Sequence, residues 1–456
     1  MSLNRFFNPK TVAVIGVSRN KDKIGRIVFD QLVKSFKGKV YPINPKAKRI
    51  GKHKCYPSVK QIPEKIDLAV IAIPANYVVD VVKECSEVGI KNVIVISSGF
   101  SEIGTEEGRR REEELKKIAE ERGIRILGPN MIGILDSYTG LDTVFMNKER
   151  LPRPPKGGIA FISQSGAIGA SVLEYLSSRR IGLSKFVSYG NAVDVNETDL
   201  IEYLKNDKRT KVITSYLEGI KGNGKRFIQV CKDATKSKPI LVLKSGKTEK
   251  GKKAVSSHTG SLAGSAKIYS AAFKQSGIIE VESIEDLFSY AKAFVMQPLP
   301  KGNRLAIITN GGGFGVLATD ECEKLGIKLP ELPEKIKKKM KKVMPENAIL
   351  HNPLDVLGDT TTERYKVALK EILNSNAYDG VLVIVVMQVP LLGEDVADVI
   401  VDASKKRKKP ILVCSTSENL SEKLETNGVP TYSSPQKAVR AFYYLSKYAE
   451  WKASSR

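Results

Sequence analysis

Short runs of β-branched and aliphatic residues alternate with amphipathic stretches along almost the whole chain of 456 residues. The first runs occupy residues 11–16, 68–73, 92–96 and 124–127, with helical patterns at 76–88 and 106–121 between them. Strands that are apolar at nearly every position and are separated by helices are typical of a parallel sheet covered on both faces. The sequence therefore predicts an α/β fold whose first unit, of about 130 residues, is doubly wound.

Two breaks divide the rest of the chain. A Pro-rich stretch at 151–158 and a second one at 297–302 each precede a new series of apolar runs. Both series open with a strand, a polar turn of small residues and a helical pattern, at 161–166 and at 307–312, which predicts an internal repeat of flavodoxin-like units. We expect three domains, at residues 1–131, 132–297 and 298–456.

Composition limits the class of partner. The formal net charge is +24 at pH 7, mostly from lysine runs such as 337–339 and 405–409, but aromatic residues make up only 7% of the chain. These aromatics are not interleaved with the basic runs, so we expect a solvated basic surface and no nucleic-acid platform. No apolar run is long enough to cross a bilayer, and the N-terminus does not read as a signal peptide. The five dispersed cysteines have no metal-ligand spacing and suggest a cytoplasmic protein without a metal site.

The strand ends of the first unit predict a cofactor cleft. The turn that begins at Gly16 lacks the dinucleotide fingerprint, because Ser18 stands where the second glycine would be. A basic turn with Ser18 and Lys23 still suits a phosphate group, although an exposed basic turn is the simpler alternative. Ligands gather outside the carboxyl ends of parallel strands. Further candidates at such ends are Asn44, Pro45, Lys46, Ile73, Pro74, Ser98, Gly99 and Phe100.

The second unit carries two candidates of its own. Ser163, Gln164, Ser165 and Gly166 place hydroxyls and a glycine where a helix begins after a buried strand, which favours an anion site or a simple helix N-cap. Glu218 ends another strand of the same unit. A carboxylate held against an imidazole nitrogen fixes the tautomer and frees the other nitrogen as a nucleophile. A solvent-facing turn residue is the alternative for Glu218.

One of the three histidines lies in a loop of small residues. His258 sits within residues 256–264, after a Lys-rich run and before a helical pattern. Small residues let a backbone approach a phosphate closely, and an imidazole placed there could itself be phosphorylated. The alternative is a polar loop residue that forms only local hydrogen bonds. We expect a structural role for His351, which precedes a rigid turn, and no functional role for His53.

Taken together, these residues resemble the alpha subunit of the ADP-forming acyl-CoA synthetases, in the superfamily of succinyl-CoA synthetase. The resemblance runs over essentially the whole chain, and the order of its motifs is specific. The motifs are Phe6–Lys10, Val14–Ser18, Tyr41–Pro45, Gly128–Asn130, Ser163–Gly166, Ser188–Asn191, Ser257–Ser261 and Asn352–Asp355.

The resemblance implies a fold and a set of roles. It implies an N-terminal Rossmann-like CoA-binding domain followed by two flavodoxin-like CoA-ligase domains. His258 matches the family's phosphorylated nucleophile, and Glu218 matches the carboxylate that orients it. Ser163–Gly166 and Gly260 match the phosphate site, Asn130 and Asn191 the substrate site, and the strand ends of the first domain the CoA cleft.

The resemblance also implies partners. No segment reads as an ATP-grasp module, so ADP or ATP and Mg²⁺ would be bound mainly by a separate beta subunit, most simply in an α2β2 assembly. The alternatives are a succinyl-CoA synthetase alpha-type chain, which would stop after two domains, and a CoA-binding regulatory protein that has lost catalysis. A nicotinamide oxidoreductase is disfavoured by the missing glycine fingerprint. The acyl group and the choice between ADP and GDP stay open.

Overall fold

The computed structural model describes residues 3–253, 265–406 and 408–455. The chain divides into two compact units, which comprise residues 1–284 and 285–456. The apolar runs form buried strands, as predicted. The boundary expected near residue 131 stays a prediction, because the first two large sheets lie in the same unit.

The first large sheet begins the first unit. Its region contains β1 (Thr11–Ile15), β2 (Lys39–Ile43), β3 (Arg49–Ile50), β4 (His53–Lys54), β5 (Leu68–Ile71), β6 (Asn92–Val95) and β7 (Arg125–Leu127), with helices α1 (Asn4–Phe7), α2 (Ile24–Ser35), α3 (Ala75–Glu87) and α4 (Glu106–Arg122). The parallel sheet has the order β2-β1-β5-β6-β7, and β3 pairs with β4 separately.

Alternate residues of β1 enter two different cores. Val12 and Val14 pack in the core that includes α2, whereas Ala13 and Ile15 pack in the core that includes α3 and α4. Every residue of β1 is buried for this reason. A strand covered on both faces must be apolar throughout, which explains the uninterrupted run in the sequence.

The second large sheet completes the first unit. Its region contains β8 (Ile134–Asp136), β9 (Lys156–Ser163), β10 (Leu183–Ser188), β11 (Val212–Leu217), β12 (Ile240–Lys244) and β13 (Ile279–Val281), with helices α5 (Gly166–Ser178), α6 (Glu197–Asn206), α7 (Gly224–Thr235) and α8 (Ala266–Ser276). Residues 249–253 are also helical. The order is β13-β12-β11-β9-β10-β8, and β8 is an antiparallel edge strand that the apolar pattern did not predict.

The second unit contains the third large sheet. Its elements are α9 (Ile284–Met296), which begins at the boundary, β14 (Leu305–Thr309), α10 (Gly312–Lys324), α11 (Glu334–Met340), β15 (Leu354–Asp355), α12 (Thr362–Asn374), β16 (Gly380–Ile384), α13 (Val396–Lys405), β17 (Ile411–Cys414), α14 (Glu418–Thr426), β18 (Thr431–Tyr432) and α15 (Pro435–Ser454). The parallel order is β15-β14-β16-β17-β18.

All three large sheets share one topology. When the parallel strands of each sheet are counted in chain order, the spatial order is 2-1-3-4-5, which is the flavodoxin-like arrangement. The predicted repeat of flavodoxin-like units is therefore confirmed. In each sheet the strand order reverses between the first and third parallel strands, and ligands of such folds bind outside the carboxyl ends at that point. The corresponding pairs are β1 and β5, β9 and β11, and β14 and β16.

Candidate functional site

A cavity of about 920 Å³ lies in the first unit. Residues that follow β1, β5 and β6 form one wall, and residues that follow β9 and β11 form another, so the cavity lies where two sheets present their switch points. This is the position expected for a ligand site in a doubly wound fold. The predicted site residues on its walls are Gly16, Ser18, Lys23, Ile73, Pro74, Ser98, Asn130, Gln164, Ser165, Gly166, Asn191 and Glu218.

Other predicted residues lie close to the cavity without lining it. The Asn44 amide donates to the Val17 carbonyl at 2.7 Å and accepts from the Lys46 backbone amide at 2.8 Å, so it braces the turn after β1. Phe100 is fully buried in a core, so its side chain does not reach the cavity. Pro45, Gly99 and Ser163 are also absent from the walls. His258 and Gly260 lie outside the described residues.

Glycines bring the turn after β1 and helix α2 into close contact. Gly16 has a φ of +96°, and a Cβ atom on Gly25 would lie 2.4 Å from the Gly16 carbonyl oxygen. Only a residue without a side chain permits this approach at Gly25. The turn therefore achieves close helix packing with a glycine spacing that differs from the dinucleotide fingerprint.

The segment after β9 is organised by hydrogen bonds. The Ser165 hydroxyl accepts from the Ile168 amide at 3.4 Å and caps α5, so the N-cap reading is correct and is compatible with an anion site on the same helix end. The Gln164 side-chain oxygen accepts from the backbone amides of Glu218 and Gly219 at 2.9 and 3.1 Å. These two backbone N–H donors fix the orientation of the Gln164 side-chain amide, because its NH2 group cannot accept hydrogen bonds.

Glu218 is buried and is not a solvent-facing turn residue. It is 4% exposed, follows β11 directly and lines the cavity. The Lys244 ammonium donates to its backbone carbonyl at 2.9 Å. Burial lowers the pKa of Lys244 to about 8, against the attraction of the carboxylates of Glu218 and Glu280. The sequence did not single out Lys244, because a lysine at a strand end normally indicates solvent.

The two predicted substrate residues form part of a polar network. The Asn130 amide donates to the Asn191 side-chain oxygen at 3.2 Å. The Asn191 NH2 group donates to Glu102 and Glu112 carboxylates at 2.7 Å each. Asn191 thus links the segment after β10 to α4 and the segment before it. Its amide hydrogens are committed to the protein, so Asn191 shapes the wall.

Sequence reasoning missed two charged residues on the walls, Glu102 and Lys221. The backbone amide of Lys221 donates to Glu197 at 2.8 Å, and its side chain is half-buried. Lys221 lies three residues after Glu218 on the same strand-end segment, and that proximity was the available signal.

The remaining histidines and the cysteines have local surroundings. The Nδ1 atom of the exposed His351 lies 2.7 Å from the Pro353 carbonyl oxygen, and the His53 and Phe29 rings pack at nearly a right angle. All five cysteines are free and buried. Within residues 3–253, 265–406 and 408–455, no cluster of three or more His, Cys, Asp or Glu side chains is arranged to hold a metal ion. In the same part of the chain, every helix is too short or too polar to traverse a bilayer.

Comparison with protein families covers most of the chain in three consecutive segments. Residues 10–137 match the CoA binding domain, residues 156–294 match the succinyl-CoA ligase like flavodoxin domain, and residues 305–445 match the Ligase-CoA domain. The protein is therefore a ligase of the CoA-ligase class, with the α/β architecture predicted from its sequence.

Individual relatives define the family more narrowly. The chain is 43% identical to the alpha subunit of acetate–CoA ligase [ADP-forming] II of Pyrococcus furiosus, over 98% of each chain. It is 42% identical to acetate–CoA ligase [ADP-forming] of Methanocaldococcus jannaschii, over 97% of this chain and 62% of that one. The dinucleotide-forming acetyl-coenzyme A synthetase 1 of Ca. Korarchaeum cryptofilum, solved with phosphate and ADP, superposes with a TM-score of 0.93 at 40% identity, over 99% of this chain and 98% of that one. The chain belongs to the family of alpha subunits of ADP-forming acetate–CoA ligases.

Proposed function

We propose that this chain is the CoA-binding and phosphoryl-carrying subunit of an acyl-CoA synthetase that forms ATP from ADP. The net reaction is acyl-CoA, phosphate and ADP to acid, CoA and ATP, and it is reversible. The observation that carries the proposal is one cavity in which the glycine turn after β1, the start of α5 and the buried Glu218 meet. Such a cavity has room for a CoA thioester at one end and an anion at the other.

We propose that CoA occupies the side of the cavity formed by the first sheet. The turn with Gly16, Ser18 and Lys23 supplies backbone amides, a hydroxyl and a positive charge, which suit a phosphate-bearing cofactor. Ile73, Pro74 and Ser98 continue this wall along the neighbouring strand ends. Asn44, Pro45, Lys46, Gly99 and Phe100 would support the wall from behind. The match of residues 10–137 to a CoA binding domain favours this assignment.

We propose that phosphate binds at the start of α5. The helix N-terminus carries a partial positive charge and unpaired amides, and Gln164, Ser165 and Gly166 stand on the cavity wall there. Attack of phosphate on the thioester carbonyl breaks the C–S bond and gives an acyl phosphate and CoA. His258 then attacks the phosphorus, which releases the acid and leaves a phosphohistidine. Transfer of that phosphoryl group to ADP gives ATP and restores the imidazole.

Glu218 and the polar network have separate roles in this scheme. The Glu218 carboxylate would orient the His258 imidazole, as a carboxylate does when it accepts from one ring nitrogen. Gly260 would let the backbone next to His258 approach the phosphate. Asn130 and Asn191 would shape the wall that meets the acyl group.

We propose that nucleotide and Mg²⁺ bind mainly to a beta subunit of the ATP-grasp type, most simply in an α2β2 assembly in the cytoplasm. Two Pyrococcus furiosus relatives named as subunit alpha of acetate–CoA ligase match this chain over nearly their whole length, whereas the Methanocaldococcus jannaschii relative has further length beyond the match. That additional length is consistent with a module that other members carry on a second chain. The five free cysteines favour a reducing compartment. We also propose the division into domains at 1–131, 132–297 and 298–456.

The experiment is reconstitution with the beta chain. The assembled enzyme should release ATP from ADP in a reaction that needs both phosphate and a CoA thioester, and a panel of thioesters would identify the acyl group. The His258→Asn variant should assemble normally and form no ATP above background. ATP formation by that variant at a substantial fraction of the wild-type rate would overturn the proposal. CoA binding without turnover by the wild-type assembly would favour a regulatory CoA-binding protein.

A further inference from the structure

The short segment from Glu218 to Lys221 is held by side chains from four separate parts of the first unit. Gln164 accepts from the amides of Glu218 and Gly219, and Glu197 accepts from the amide of Lys221. Two further contacts come from Lys244 and Tyr269. Lys244 donates to the Glu218 carbonyl at 2.9 Å, and the Tyr269 hydroxyl accepts from the Ile220 amide at 3.3 Å.

Lys244 is an unusual residue for this position. It is the last residue of β12, it is 3% exposed, and its ammonium also donates to the Ser245 carbonyl. Among the described residues, the hydrogen bonds of this ammonium go to carbonyl oxygens and none goes to a carboxylate. Burying a charge without an ion pair is costly, so the contacts that Lys244 makes with carbonyl groups and with an aromatic ring must compensate.

Lys244 and Tyr269 also contact each other. The ammonium lies 4.5 Å from the centroid of the Tyr269 ring. Lys244 precedes residues 254–264 in the chain, and Tyr269, on α8, follows them. Two residues that flank the segment containing His258 therefore meet, and both hold the backbone of the segment that begins with Glu218.

We propose that Lys244 is a positioning residue for Glu218, the carboxylate to which the proposed function gives the role of orienting His258. Its ammonium donates to the Glu218 carbonyl and makes a cation–π contact with the Tyr269 ring, and Lys244 does not line the cavity. This inference rests on the proposed phosphohistidine function. It adds a role for a residue whose position at a strand end would otherwise be read as a solvated lysine.

A double-mutant cycle tests the inference in the assembled enzyme. The variants are Lys244→Met, Glu218→Gln and the combination, and the measured quantity is the rate of enzyme phosphorylation from acyl-CoA and phosphate. Lys244→Met should slow phosphorylation about tenfold, within the range of coupling between contacting residues, and leave the KM for acyl-CoA unchanged. The combined variant should be no slower than Glu218→Gln alone, because Lys244 acts through Glu218.

The control is Lys247→Met. Lys247 lies three residues after Lys244 in the chain, and its ammonium pairs with Glu280 at 2.8 Å and with Glu282 at 3.2 Å. Its loss should leave the phosphorylation rate unchanged. The inference would be overturned if the two reductions in phosphorylation rate multiplied in the combined variant. It would also be overturned if Lys247→Met slowed phosphorylation as much as Lys244→Met.

A second variant covers the case in which Lys244→Met does not fold. Tyr269→Phe removes the hydroxyl that accepts from Ile220 and keeps the ring. It should slow phosphorylation by a smaller factor, and this loss should also vanish in the Glu218→Gln background. A loss that persists there contradicts the inference. A wild-type assembly that turns over without phosphorylation refutes the proposed function itself, so the two failures are distinguishable.

Discussion

Glu197 is a buried carboxyl group behind the cavity. Glu197 is fully buried. One of its carboxyl oxygens accepts a hydrogen bond from the Lys221 backbone amide, and the other has no hydrogen-bond partner among the described residues. Burial raises its pKa to about 7, although amide hydrogen bonds and the Lys221 ammonium act in the opposite direction. The neighbouring Tyr189 has a pKa far above its usual value, because it is buried beside Glu197 and Glu218.

The raised pKa of Glu197 predicts a pH-dependent stability. The folded state holds the proton more tightly than the unfolded chain, whose carboxyl titrates near 4.5. The resulting stabilisation is complete below that value and is lost as the pH rises through about 7. As the pH rises from 5 to 8, the free energy of unfolding of Glu197→Gln should therefore increase relative to that of the wild type, by up to roughly 3 kcal/mol. The measurement compares the unfolding midpoints of the variant and the wild type at each of the two pH values.

Glu202 on the same helix provides the matched control. Its side chain is 54% exposed and pairs with Arg226, so Glu202→Gln should change stability by less than about 1 kcal/mol. If the difference in stability between Glu197→Gln and the wild type were the same at pH 5 and pH 8, the raised pKa of Glu197 would not explain the pH dependence.

The turn between β1 and α2 depends on a backbone contact that only glycine allows. A Cβ atom on Gly25 would meet the Gly16 carbonyl, and one on Gly16 would meet the Ala72 carbonyl oxygen at 2.3 Å. Helix α2, strand β1 and the end of β5 are therefore fixed relative to one another. This element sets the shape of the proposed CoA side of the cavity.

Gly25→Ala should disturb this element. We expect a loss of about 1–3 kcal/mol in stability from overpacking, together with weaker CoA binding. Thermal unfolding and calorimetric titration with CoA measure the two effects. Gly224→Ala is the control, because Gly224 also lies in the first turn of a helix and a Cβ atom there has no neighbour within 4 Å. Equal behaviour of the two variants would show that close packing at Gly25 is unimportant.

Much of the fold at this scale was predictable from sequence. The buried strands were recognisable because strands covered on both faces must be apolar at successive positions. The edge strand β8 was not, because a three-residue antiparallel strand leaves too short a pattern. The contact between Gly16 and Gly25 was also missed, since eight residues lie between the two glycines and no spacing rule joins them.

The whole molecule repeats one strand order in three sheets, and two of these sheets form the cavity. The carboxyl-end rule pointed to strand ends of the first unit, but it did not predict that Gly16, Gln164 and Glu218 would line one cavity between two sheets. It could not predict that Asn191 is engaged by Glu102 and Glu112, or that Lys244 is buried behind Glu218. Such side-chain contacts depend on tertiary packing, which hydrophobic periodicity does not encode.

The proposed reaction depends on the temporary transfer of phosphorus to a single imidazole. The most direct measurement is incubation of the reconstituted enzyme with labelled phosphate and a CoA thioester, without ADP, followed by peptide mapping under alkaline conditions. We predict an acid-labile phosphate on His258, which disappears when ADP is added and is absent from His258→Asn. Full turnover of the thioester with phosphate on another residue, or on none, would contradict the account.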